Sequence, residues 1–305
     1  MTVPLTGFQY EIEAGPYRAT VTQLGAGLRE LLFHGEPVVN GYHADELPPA
    51  AAGQLLAPWP NRIDGGRYAF AGTEYQLALT EPAQGNAIHG LTRWTAWTEV
   101  RHDASSVLLR SAPHGMQGYP FCLEIDAEYR VDPGAGLHVA ITARNRGGRT
   151  APYGTGSHPY LTVRTPSVDE CELTLPAESW LPADDRGIPS GPAAAVEGTP
   201  YDFRKPRLIG DTRIDHALTT LTRDSEGRAV AHLAGAAAGV SLWAGQGYRW
   251  LQAFTGDSLG PDRRRKAVAI EPMTCPPNAF VSGEDLLVLE PGQDVTHTWG
   301  IQADR

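Results

Sequence analysis

Apolar and polar residues alternate along much of this chain. In 123–131 the residues Leu123, Ile125, Ala127, Tyr129 and Val131 share one face, while Glu124, Asp126, Glu128 and Arg130 share the other. After a turn at Asp132-Pro133-Gly134 the same two-residue period returns with Leu137, Val139, Ile141 and Ala143. A period of two with a short Gly/Pro connection predicts adjacent antiparallel strands, one face buried and the other wet. Similar runs at 171–175, 240–243, 250–254, 267–271 and 295–301 predict further strands. Few windows hold a helical period. Many strands punctuated by turn residues, without interleaved helices, predict an all-β chain built as a large antiparallel β-sandwich.

No internal repeat of fixed period interrupts this pattern. The stretch 181–200, with Pro182, Gly187, Pro189, Gly191, Pro192 and Gly198, reads as a long exposed loop. Strand patterning resumes on both sides of it, so one domain over residues 1–305 is expected rather than two.

Composition narrows the partners. The chain is 41% hydrophobic and 20% charged, which is enough apolar residue for a real core. Twenty-five basic against 35 acidic residues leave a formal net charge of -10. Such a surface repels phosphate backbones and anionic lipid, so neither nucleic acid nor membrane is an expected partner. The opening MTVPLTGFQYEIEAG lacks a basic region followed by an apolar run, and no stretch approaches the length of a membrane helix. Cys122, Cys171 and Cys275 are few and scattered, which suits free thiols in a reducing compartment. A cytoplasmic location is expected.

Several places have residues suited to chemistry. Arg62, in Asn61-Arg62-Ile63 ahead of Gly65-Gly66, is either a fork of donors for sugar or carboxylate oxygens or an ordinary arginine of a hairpin turn. His89 lies between Ile88 and Gly90, with Trp94 and Trp97 following. It is either a polar contact beside apolar stacking faces or a core histidine satisfied by a carbonyl. His158 stands between a glycine-containing stretch and Pro159, a setting that holds an imidazole rigidly or merely forms a turn. Glu271 follows Ala267-Val268-Ala269-Ile270, a run apolar on both faces and therefore a central strand, whose pairing Pro272 is expected to end or to force into an edge geometry. A carboxylate there is costly without a partner or a purpose. Asp215 could bind hydroxyls or pair with Arg213, and Gln252 is a polar residue inside a strand.

His297 shares its phase with Val295, Trp299 and Ile301 and reads as packed core. The remaining histidines show no metal-site spacing, and no HExxH, G-x-S-x-G, P-loop or dinucleotide fingerprint is present. No metal is implied.

Taken in order, Asn61-Arg62-Ile63 with Gly66, His89-Gly90, His158-Pro159-Tyr160, Ile214-Asp215-His216, Leu251-Gln252-Ala253-Phe254-Thr255 and Ile270-Glu271-Pro272 resemble the aldose 1-epimerase (galactose mutarotase) family. The resemblance spans nearly the whole chain. It implies a galactose-mutarotase-like supersandwich with an open cleft, no cofactor and a free sugar as the small-molecule partner. It further implies His158 as general acid at the ring oxygen and Glu271 as general base at the anomeric hydroxyl. Arg62, His89, Asp215 and Gln252 would orient the sugar. The chemistry is coherent: a carboxylate is a ready base at neutral pH, and it is expected to keep a neighbouring imidazole protonated.

The continuation Pro272-Met273-Thr274-Cys275-Pro276-Pro277-Asn278 departs from the galactose enzymes and resembles a divergent bacterial subgroup. Cys275 is expected to be a small buried residue. Other readings are a glycoside hydrolase using Asp215 and Glu271, a carbohydrate-binding protein without turnover, and a hexose-6-phosphate 1-epimerase. The last needs a cationic patch, for which Arg263-Arg264-Arg265-Lys266 is a source unless it is a solvated turn.

Overall fold

The computed structural model describes residues 3–112 and 114–304. Three sheets carry the architecture. A nine-stranded antiparallel sheet runs in the order Thr98–His102, Ser106–Ser111, Leu123–Asp132, Gly136–Asn145, Asp294–Ala303, Gly239–Ala244, Ala229–Ala234, Glu172–Thr174 and Arg207–Leu208. Its long centre is the hairpin read from the sequence, with Leu123 opposite Asn145 and Asp132 opposite Gly136. The last strand of the chain then lies on the other side of Gly136–Asn145, placing His297 opposite Ile141. A four-stranded N-terminal sheet, Gln9–Ala14, Tyr17–Thr22, Leu28–Phe33 and Glu36–Pro37, packs against this hairpin.

The third sheet holds the cleft. Its order is Ala194–Ala195, Ala177–Trp180, Asp215–Leu221, Trp250–Phe254, Val268–Met273, Gly156–Ser157 and Leu55–Leu56, and Tyr160–Leu161 also pairs with Val268–Met273. The two-residue period divides its faces. Leu251, Ala253, Val268 and Ile270 enter the main core, which they share with Ile141, Leu242 and Trp299. On the opposite face, Trp250, Ala217 and Met273 form one small apolar cluster with Leu181. Ala269, Ala267, Tyr160, Tyr42 and Ala52 form another, packed by Phe254 and Leu259. Gln252 and Glu271 fall between these clusters in the alternation, so they face the same way without joining either.

Pro272 does not end its strand. It sits within Val268–Met273, opposite Leu251. Ile270 and Thr274 both donate their N–H towards the segment 155–160, to Pro159 and Thr155. Since N–H groups point to the same neighbour at every second residue, the donor that Pro272 lacks would face that segment too. There the neighbouring strand is already broken between Ser157 and Tyr160. The proline is tolerated where no ladder bond was to be made.

The stretch 181–200 is also more structured than a plain loop. Ala194–Ala195 pairs with Ala177–Trp180, and the 184–188 turn docks on the body of the protein rather than standing free. Among the described residues, no helix is long and apolar enough to cross a membrane. The cysteines are unpaired, with Cys171 and Cys275 buried and Cys122 exposed.

His297 is packed core, as its phase indicated, and burial pushes its imidazole down to about 4. The unfolded chain therefore takes up a proton near pH 6.5 that the folded chain refuses until about pH 4. This contribution to stability is complete above the unfolded value and is lost as the pH falls through that window. Denaturant midpoints are expected to drop between those pH values, and the drop should be smaller in His297→Gln. An equal drop in both proteins would exclude His297 as a source.

Candidate active site

Strand register places the central residues. Gly156 pairs with Met273 and Tyr160 with Ala269, and both pairs belong to one register in which position 158 falls opposite position 271. On the other side of the same strand, Glu271 is directly paired with Gln252, and Gln252 with Ala217. His158, Glu271 and Gln252 therefore form one row across three neighbouring segments. The break at His158-Pro159 frees the imidazole from the pleat, while backbone bonds hold it at both sides. His158 N donates to Gln54 O and its carbonyl accepts from Gly53 N.

The imidazole Nε2 lies 3.2 Å from Glu271 Oε1. Both residues are buried, at 5% and 2% exposure. Tyr160 stacks on the imidazole with ring centres 5.0 Å apart, and the His89 ring meets its edge at 5.4 Å. The Tyr160 hydroxyl donates to Ala50 O, which fixes the stack from behind.

Arg62 approaches from a separate two-stranded ribbon, Arg62–Asp64 paired with Asn86–Ile88. Its Nε and Nη2 donate to the two oxygens of Glu81, each at 2.8 Å, and Asn86 Nδ2 donates to Glu81 Oε2. Asn61 and His89, at the ends of this ribbon, have φ of 54° and 62°, a region that costs a side-chain-bearing residue free energy. His89 N donates to Asn61 O, so the two strained positions brace each other. Gly90, at φ 71°, is required next to them: a Cβ there would overlap the Ala57 backbone. Asn278, beyond Glu271, closes the arrangement by donating its N–H to Arg62 O and accepting Asp64 N–H on its side chain.

Together these groups line one open cavity of about 320 Å³, in which Arg62, His89, His158, Asp215, Gln252 and Glu271 all take part. The six residues singled out from the sequence are thus brought to one place. Asp215 stands at the exposed rim, accepting from Gln252 Nε2 at 2.7 Å. The alternative pairing of Asp215 with Arg213 is not made, since Arg213 faces Asp257.

Other expectations are corrected. Trp97 is core, donating to Thr92 O, and Trp94 is exposed under the Arg93 guanidinium. Neither lines the cavity, whose aromatic walls are Tyr160 and Phe254. The basic run is largely committed elsewhere: Arg265 binds Asp169 and Asp257, Arg263 faces Glu46 and the Gly41 carbonyl, and Lys266 donates to Pro166 O. Cys275 is buried as expected, and burial pushes its thiol up to about 12.

Glu81 and Arg93 line the same cavity and were not singled out from the sequence. Both lie outside the strands, where no periodicity marks a functional side chain.

The electrostatics differ from the expected protonated histidine. Burial pushes the His158 imidazole down to about 3, with Arg93 and Arg62 acting in the same direction. Burial and the neighbouring Asp215 carboxylate raise Glu271 well above the usual carboxylate range, and Arg62 opposes them. Burial thus opposes the charged form of each group and favours a carboxylic acid beside a neutral imidazole. His89 is likewise held neutral by burial, and Asp215, exposed at the rim, is raised by the desolvating walls of the cleft against the pull of Arg62.

Three buried polar atoms of residues lining this cavity, His89 Nδ1, Gln252 Oε1 and Glu271 Oε2, have no hydrogen-bond partner among the described residues. Buried polar groups are nearly always satisfied, so such a cluster at an open cleft fits a ligand rich in hydroxyls.

The Aldose 1-epimerase family model matches residues 9–302. The chain belongs to the aldose 1-epimerase family. An Escherichia coli K12 protein, the uncharacterized YihR, is 40% identical over 288 residues, covering 94% of this chain and 91% of that one. Mouse galactose mutarotase is 28% identical over 268 residues, with 81% and 77% covered. Among solved structures, the aldose epimerase homologue from C. elegans superposes with a TM-score of 0.88 at 21% identity, covering 98% and 99%. A putative aldose 1-epimerase from E. coli K12 gives 0.84 at 18% identity, covering 97% and 99%. The fold is that of this epimerase family, as the resemblance implied.

The neutral pair has a direct spectroscopic consequence. In the ligand-free protein the His158 ring signals are expected to stay those of a neutral imidazole from pH 8 down to about 5. Titration is expected only towards about pH 3. A midpoint near the ordinary 6.5 in heteronuclear NMR would show the imidazole to be better solvated than its burial indicates.

Proposed function

We propose that this chain is an aldose 1-epimerase, a single-domain isomerase over residues 1–305 that interconverts the α and β anomers of a free aldose in the cytoplasm. The observation that carries this reading is the buried His158–Glu271 pair, 3.2 Å apart in a cleft where His89 Nδ1, Gln252 Oε1 and Glu271 Oε2 have no partner among the described residues. Ring opening of a cyclic aldose removes the proton of the anomeric hydroxyl and delivers one to the ring oxygen. After rotation about C1–C2, reclosure reverses both transfers.

An acid and a base on adjacent segments suit that exchange, because the pair gives one proton and recovers one with no net change. His158 as acid and Glu271 as base require the charge-separated form of the pair. The resting cleft disfavours that form, but sugar hydroxyls donating to Glu271 and the field of Arg62 favour the carboxylate. The tightly coupled pair titrates as a unit, so its pH profile belongs to neither residue alone. Arg62, His89, Asp215 and Gln252 then orient the sugar through its ring oxygen and hydroxyls. Each proton transfer typically contributes about 10²–10⁴-fold, which corresponds to roughly 3–5 kcal/mol off the barrier.

Polarimetry on freshly dissolved α-anomers of glucose and galactose tests this reading. Wild type is expected to hasten the approach to the same final rotation for at least one aldose. His158→Ala and Glu271→Ala should each slow it by about 10²-fold or more. Tight binding without acceleration by the wild type would instead mark a carbohydrate-binding protein.

One observation favours a second reading, in which the aldose carries an anionic group such as a 6-phosphate. Arg93 lines the cleft and forms no ion pair among the described residues, unlike Arg62, which is spent on Glu81. A cation held there over the Trp94 ring, with no carboxylate in ion-pair contact among the described residues, suits an anionic substituent. Under this reading glucose 6-phosphate is turned over in preference to glucose, and Arg93→Ala abolishes the preference while leaving glucose turnover within about threefold. Equal discrimination by wild type and variant would remove it.

A further inference from the structure

The 184–188 turn has no place in the chemistry described so far, yet it is built against the cleft arginine. Asp184 organises it: Oδ1 accepts from the N–H groups of Arg186 and Ile188, and the main-chain carbonyl accepts from Gly187. Arg186 ties the turn to the Arg62 ribbon. Its Nε donates to Gln84 O at 2.8 Å, and its Nη2 donates to Asp64 Oδ1 and Asn86 Oδ1 at 2.6 and 3.0 Å. The Arg186 carbonyl accepts from Asn86 Nδ2, the same amide group that donates to Glu81. Asn86 is completely buried at this junction.

Gly187 is the part of the turn that meets Arg62. It has φ of 72°, and a Cβ built on it would stand 2.8 Å from Arg62 Cζ and closer still to Nη1. The nearest atoms to that Cβ all belong to the Arg62 guanidinium. Glu81 thus holds the Nε and Nη2 edge of the guanidinium, and the Gly187 backbone lies against the group, nearest to Nη1. Among the described residues Nη1 has no acceptor.

We propose that Gly187 is a positioning residue for Arg62. The bare backbone at 187 sets how far the guanidinium stands from the 184–188 turn, and the Arg186–Asn86–Glu81 chain holds that turn and the Arg62 carboxylate partner in register. The segment 181–200 thus takes part in the cleft through Arg62 without touching substrate. The inference rests on the epimerase reading only for its kinetic consequence; the placement of Arg62 stands apart from it.

The test compares two glycines with the same backbone conformation. Gly198 has φ of 73°, and a Cβ there meets nothing within 4 Å. Gly187→Ala and Gly198→Ala therefore carry similar left-handed backbone strain, but only the first pushes on Arg62. Two readouts are taken on the full-length protein, with D-galactose and D-glucose as probes.

In polarimetric kinetics Gly187→Ala is expected to raise KM about tenfold with kcat within about threefold, the pattern of lost substrate orientation. Gly198→Ala should leave both within about twofold while lowering Tm by a similar amount. In ¹H–¹⁵N NMR the Arg62 Nε–H signal, assigned through Arg62→Lys, is expected to move in Gly187→Ala and to stay in place in Gly198→Ala. A stationary Arg62 signal in Gly187→Ala, or matching kinetic losses in both variants, overturns the proposal. Should wild type fail to hasten mutarotation of either probe, the epimerase reading for those sugars fails, and the Arg62 signal alone still decides the positioning role.

Discussion

A carboxyl group and an imidazole taken out of water together must either share one proton or separate charge where nothing solvates it. His158 and Glu271 are in that position, and the architecture around them follows from keeping them there. The carboxyl group stands on a central strand paired on both sides, with Pro272 facing the break between Ser157 and Tyr160. The imidazole comes from the gap between two short strands that pair with the same partner in one register. Small apolar clusters on either side keep the floor of the cleft dry, while the main core on the far face of the sheet keeps it stiff. Burial then sets the resting protonation of the pair.

The cleft is assembled from groups of two kinds. His158, Glu271, Gln252 and Asp215 are placed by sheet register, and their spacing is as rigid as the ladder itself. Arg62 and His89 arrive on a separate ribbon with strained backbone at Asn61 and His89. Their positions depend on a polar network through Glu81, Asn86 and Arg186. Strained backbone of this kind persists only where the surroundings over-determine it. The reciprocal bonds of Asn61, His89, Arg62 and Asn278 do so here.

This division separates a proton-handling floor from a side wall that faces whatever is bound. The floor is shielded around His158 and Glu271, with the Asp215 carboxylate beside it at the rim. The wall carries two guanidinium groups, of which Arg62 is neutralised by Glu81 and Arg93 forms no ion pair among the described residues. A substrate is thus met by hydrogen-bonding groups below and by a guanidinium without an ion pair at the side, in a protein whose net charge is -10. The two can vary independently, because altering the wall leaves the sheet register intact.

Much of this was legible in the sequence. Period-two alternation around Leu123 and Leu137 announced the central hairpin, and an isolated glutamate at the end of an apolar run marked Glu271. Those signals are local, since strand pleat and the cost of burying a carboxylate are properties of a few consecutive residues. Glu81, Arg93 and the 184–188 turn were not legible, because they sit in irregular segments and gain their meaning from partners far away in the chain. Trp94 and Trp97 misled for the same reason: nearness in sequence to His89 did not put them in its cavity. The protonation of His158 was misjudged because a neighbouring carboxylate was visible and the depth of burial was not. The chain by itself determined which strands form and which polar side chains must be accommodated, while only the folded molecule decided who faces whom and how much water remains, since desolvation is set by every segment that closes over a group.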